Sequence, residues 1–127
     1  MAPEVVRERS YNRTVDLYSL GMIMYRILNG GRVPFIPQEE SALTSQMLKE
    51  ANERRFNGEP LPHLKEISDE MNEIVLKACS FKPEDRYQTA KEMGNELREY
   101  KRVIESDERI RKKSNINRYF AAAGELD

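Results

Sequence analysis

Residues 15 to 28 read VDLYSLGMIMYRIL, and on a helix their apolar side chains cover nearly the whole circumference instead of one stripe. A helix of that kind must be covered on most sides, so the segment predicts the central helix of an all-α domain. At about 1.5 Å per residue it spans roughly 20 Å, too short to cross a membrane. Thr14 stands where an N-cap hydroxyl would accept an orphan N–H bond. Asn29-Gly30-Gly31 supplies the left-handed conformations that end a helix.

Outward from this helix the pattern predicts three more. Gly30, Gly31, Pro34 and Pro37 break the chain into a loop. Leu43, Met47, Leu48 and Ala51 then recur at i, i+4, i+5 and i+8, which predicts an amphipathic helix from about Glu40 to Arg55. After the loop FNGEPLPHL, Ser68 caps a third helix with Ile67, Met71, Ile74, Val75 and Ala78 on its buried face. The fourth opens at TAKE, where Thr89 and Glu92 have capping-box spacing, and continues with Ala90, Met93, Leu97, Tyr100 and Ile104 inward. Beyond Tyr100 the composition turns charged, with six basic and three acidic residues between Lys101 and Lys113. The expected architecture is four core helices over residues 1–100 and a charged helical extension or linker over 101–127.

Composition narrows the function. A chain of 127 residues supports one core. Its charged residues, 34% of the total, nearly cancel to a net charge of −1, which gives no electrostatic case for nucleic acid. The basic run RIRKKSNINR stands beside Glu105, Asp107 and Glu108 and reads as a solvated helix end. With no apolar stretch of about 18 residues and no secretion signal, the expectation is a cytoplasmic protein without a membrane span. The single cysteine, Cys79, ends the apolar face of the third helix and reads as a small core hydrophobe. The one histidine, His63, falls in a loop and reads as a surface residue.

Four motifs in fixed order carry a resemblance. MAPE at residues 1–4 is followed by DLYSLG at Asp16, then NGGRVPF, then ACSFKPEDRYQTAKEM. Together they closely resemble the C-terminal part of the C-lobe of serine/threonine protein kinases, starting at the APE motif, and the phrasing is most similar to the bacterial, eukaryotic-type members. In that family the Gly-rich loop, the phosphate-pairing lysine, H-R-D and D-F-G lie upstream of APE. None of them occurs in this sequence. The resemblance therefore assigns no catalytic, cofactor-binding or metal residue here, and it places ATP and Mg in the parent kinase.

The resemblance also implies roles for particular residues. Glu4 of APE would form a buried, bidentate ion pair with Arg86 of P-x-x-R. Asp16 would anchor the parent's catalytic loop. The helix carrying Leu43, Met47 and Leu48 matches a region that contributes to protein docking, although that spacing equally suits a core face.

Two functions follow. In one, the chain is part of a serine/threonine kinase, inactive alone, supplying scaffold and a possible docking surface for a protein substrate; its partners are the kinase N-lobe and catalytic loop. In the other, it is a free-standing helical interaction or regulatory module derived from a kinase C-lobe. Either way the helix at residues 15–28 lacks the cover that its sequence demands, which predicts self-association, most simply as a dimer.

Overall fold

A computed structural model describes residues 1–3, 13–37 and 42–125, with the side chains of 110, 111 and 114–125 excepted. Among the described residues lie four α-helices and no strand, as the apolar periodicity predicts. They are α1 (Arg13–Leu28), α2 (Ser45–Phe56), α3 (Asp69–Ala78) and α4 (Ala90–Glu125), with a 3-10 turn at Pro83–Asp85 before the last.

The core forms where α1 meets α3. Val15, Tyr18 and Tyr25 of α1 cluster with Val75 of α3, Cys79 just after it, and Leu64 and Ala2 from the flanking chain. Gly21 makes the approach possible: a Cβ there would stand 2.8 Å from Ala78 Cβ and 2.8 Å from Cys79 Sγ. The opposite side of α1 is open. Leu20, Ile23 and Ile27, spaced i, i+3 and i+7, are 43%, 57% and 72% exposed. The cover that its all-round apolar sequence demands is therefore missing on one face among the described residues.

Local chemistry sets most of the boundaries. Thr14 is helical and buried within α1, so it is not the cap that its position suggests. At the other end Gly30 and Gly31 take φ of 68° and 84°, and Gly31 N–H donates to Arg26 O at 2.7 Å in a Schellman closure. The second helix begins later than Glu40, because Thr44 is its cap and accepts from Met47 N–H at 3.1 Å. Residues 38–41 lie outside the described residues. Ser68 caps α3 as expected, accepting from Met71 N–H at 3.2 Å. Thr89 accepts from Glu92 N–H at 3.1 Å, while the Glu92 carboxylate accepts from Gln88 N–H at 3.2 Å, one residue earlier than the usual reciprocal bond.

The chain divides into two compact units, Met1–Gly94 and Asn95–Asp127. In the second, α4 continues through Tyr100 without a break, carrying the ion pairs Arg102–Glu99 at 2.7 Å and Lys101–Glu105 at 3.8 Å.

Candidate functional site

Tyr18 lies at the centre of a buried polar cluster of the first unit. The 3-10 turn ends at Arg86, whose extended backbone follows Pro83–Asp85. Its side chain is 2% exposed and reaches the chain that leaves α3. Arg86 Nε donates to Ser80 O at 2.7 Å, Nη2 donates to Phe81 O at 3.0 Å, and Cζ lies 4.5 Å from the centroid of the Tyr18 ring. From the last turn of α2, Arg55 Nη1 donates to the Tyr18 hydroxyl at 2.8 Å and to Met1 O at 2.7 Å. A single tyrosine thus joins α1, α2 and the turn after α3. The rigid fork of arginine suits this work, since its several donors can satisfy separate acceptors while the face of the group stacks.

Burial sets the acidities here. It pushes the Tyr18 hydroxyl above its ordinary value, with Arg55 pulling the other way. It pushes the Cys79 thiol up to about 12, against the opposing fields of Arg55 and Arg86. Cys79 is therefore a neutral packing group and a poor nucleophile. Tyr25 is likewise raised to about 12, by burial first and Cys79 second, and its hydroxyl donates to Pro62 O at 2.9 Å. A second buried polar anchor is Asn72. Its Oδ1 accepts from Leu64 N–H at 2.7 Å, and its Nδ2 donates to Leu64 O, Ile67 O and Ser68 O, fastening the preceding loop to α3.

The residues singled out in the sequence occupy different places. Arg86 is in the Tyr18 cluster, whereas Glu4 lies outside the described residues. Asp16 is exposed in the first turn of α1, where a carboxylate complements the helix dipole. Leu43 precedes α2 and is 48% exposed; Leu48 is 38% exposed and Met47 is half-buried. His63 is exposed. Tyr18, Arg55 and Asn72 carry no signal of their own in the sequence: Tyr18 reads as one more apolar residue and Arg55 as one more charge at a helix end. Among the described residues no group of three or more His, Cys, Asp or Glu side chains could hold a metal ion. The arrangement holds helices in register and displays surface.

Residues 1–97 match the family model described as the protein kinase domain. The chain belongs to the protein kinase domain family. Among curated relatives, the serine/threonine-protein kinase PknB of Mycolicibacterium smegmatis is 34% identical over 100 residues, covering 76% of this chain and 15% of PknB. The tyrosine-protein kinase MasK of Myxococcus xanthus is 37% identical over 97 residues, covering 76% of this chain and 14% of MasK. The solved structure of the Cydia pomonella granulovirus kinase PK-1 shares the fold, with a TM-score of 0.51 at 22% identity, over 73% of this chain and 35% of that one. This family member thus spans a small part of the length of the kinases it matches, and its described part is the helical C-lobe type of structure. No helix among its described residues is long and apolar enough to cross a membrane.

Proposed function

We propose that this chain is the C-lobe part of a bacterial serine/threonine protein kinase whose whole form transfers the γ-phosphate of ATP to protein hydroxyls. The observation that carries this reading is the match of residues 1–97 to the protein kinase domain. Phosphoryl transfer is catalysed almost entirely by positioning and by charges fixed around the phosphates. A lobe with no reacting group therefore still contributes by holding the groups that react. Asp16, exposed on α1, is suited to anchor the catalytic loop of the parent. Glu4 is assigned as the carboxylate partner of Arg86. ATP and Mg belong to the remainder of the kinase, and dependence on ATP places the enzyme in the cytoplasm.

Leu43, Met47 and Leu48 are assigned as a docking surface for the protein substrate. Their support is exposure: two of the three large apolar side chains are more than a third open to solvent, which a pure core face would not leave. The open stripe of α1 is assigned to the rest of the kinase domain, and to a second copy when the chain is alone.

The test expresses the longest reading frame containing this chain and measures label transfer from Mg-ATP to a serine- and threonine-containing protein. The longer product is expected to transfer label while the 127-residue chain stays at the no-protein control. A frame that lacks H-R-D and D-F-G upstream of Met1 would overturn the proposal in favour of a free-standing interaction module, and transfer by the chain alone would overturn it outright. In the active product, replacing Leu43 and Leu48 by Asp should raise KM for a protein substrate and leave kcat unchanged.

A further inference from the structure

Arg55 is 9% exposed, yet no acidic group among the described residues neutralises its charge. Both groups that accept from Nη1, the Tyr18 hydroxyl and Met1 O, are uncharged. The rings of Phe56 and Tyr18 lie 4.4 and 5.7 Å from Cζ and supply only a π face. Among the described residues no carboxylate pairs with it, and nearby Glu59 is already held by Arg54 through both carboxylate oxygens. A charge with so little contact with water gains from a counter-charge brought to its remaining N–H groups.

Nε and Nη2 of Arg55 make no hydrogen bond with the described residues. No side-chain nitrogen or oxygen among those residues is both enclosed and unpartnered, so these N–H groups are not sealed off within the protein. Arg55 and Tyr18 line a cavity of about 430 Å³ whose other walls include Leu61, Leu76 and Phe81. That volume lies in the ordinary range for small-ligand sites, and so does the mixture of apolar walls with a few polar and charged groups.

We infer that this cavity binds an organic monoanion, a carboxylate carried on an apolar body. The carboxylate meets Nε and Nη2 of Arg55, and the body packs against Leu61, Leu76 and Phe81. Two adjacent N–H groups form the fork that a carboxylate matches with both oxygens. Glu59 also lines the cavity, paired with Arg54, so Arg55 is the one cation in the lining that is left to meet an anion, which matches a single negative charge.

The test titrates phenylacetate into the 127-residue chain and follows the Arg Nε–Hε resonances by NMR, with phenylacetamide and inorganic phosphate as parallel probes. A saturable shift of the Arg55 resonance with phenylacetate, absent with phenylacetamide, is the expected result. Arg55→Gln should weaken binding at least about tenfold, the loss of a charge-assisted pair. Because Arg55→Gln also removes two structural hydrogen bonds, Phe81→Ala provides a second arm. Phe81 is 36% exposed, so its truncation leaves the core and Arg55 in place, and it should weaken phenylacetate several-fold through lost apolar contact. Equal binding of phenylacetamide, tighter binding of inorganic phosphate at the same resonance, undiminished binding by Phe81→Ala, or no saturable shift would each overturn the inference.

Discussion

The guanidinium of Arg86 lies over the ring of Tyr18, with Cζ 4.5 Å from the centroid, and both side chains are at most 2% exposed. Stacking and two carbonyl bonds use the planar group on its face and its edge together. An ammonium can do only part of this. Arg86→Ala should therefore cost about 2–4 kcal/mol and Arg86→Lys a large part of it, because an ammonium cannot meet both the Ser80 and Phe81 carbonyls while lying flat on the Tyr18 ring. Urea melts of the two variants measure it. If Glu4 is the carboxylate partner of Arg86, Glu4→Ala combined with Arg86→Ala will destabilise by clearly less than the sum of the single changes. Additive losses would separate the two residues.

Gly21→Ala should destabilise the fold although alanine is the better helix former. The propensity gain is below about 1 kcal/mol. Against it, the new methyl would stand 2.8 Å from both Ala78 Cβ and Cys79 Sγ, and overpacking of that kind costs about 1–3 kcal/mol. Adding Cys79→Ala removes one of the two obstacles and should recover part of the loss, which thermal melts of the single and double variants would show.

Stability should fall as the solution is made alkaline. The Cys79 thiol has an ordinary pKa of 9.0 and is held at about 12 in the fold; the Tyr25 hydroxyl rises from 10.0 to about 12. Between those values the unfolded chain has released protons that the folded chain keeps, so unfolding gains from each step upward in pH. Denaturant midpoints should decline between pH 9 and 12. Cys79→Ala should flatten the first part of that decline; a decline of the same steepness would deny Cys79 its share.

The chain on its own should self-associate. Leu20, Ile23 and Ile27 leave a wet apolar stripe along α1, and each such side chain gains roughly 1.5–3 kcal/mol when fully covered. Light scattering coupled to size exclusion should give a mass above the 14.9 kDa of one chain, falling toward it on dilution. Ile23→Gln with Ile27→Gln should favour the single chain without loss of helix. A monomer across a wide concentration range would show that the stripe is tolerated in water.

What could be read in advance was local or periodic. Ser68, Thr89 and the double glycine after Leu28 act within a few residues of themselves, so their chemistry is written in adjacent letters. Thr14 and Thr44 show the limit of that rule. Both can cap, and the choice depends on where the preceding chain enters the helix, so Thr14 became a buried helical residue while Thr44 took the cap and shortened α2. The buried Asn72 was not legible, because its four bonds depend on a loop whose path is set by packing. Nor was the bond from Arg55 to Tyr18, since those residues are 37 positions apart. That α1 lacks cover followed from its all-round apolar sequence and the resemblance; that Leu20, Ile23 and Ile27 are the residues left open did not, because which neighbour covers which side chain is a property of the assembled fold.

The last helix starts in one unit and continues through the other, and this has a kinetic consequence. Beginning a helix is the unfavourable step, with a weight of about 10⁻³, while each added residue is nearly neutral or better. Thr89 and the buried Met93 fix the first turn of α4 within the packed core, so the nucleus comes with the fold and the following residues only propagate it. Opening should therefore travel inward from the end at Glu125, like a zipper with its stop at Met93. Amide exchange along α4 would slow residue by residue toward that stop, and a peptide cut free after Gly94 would have to create its own nucleus.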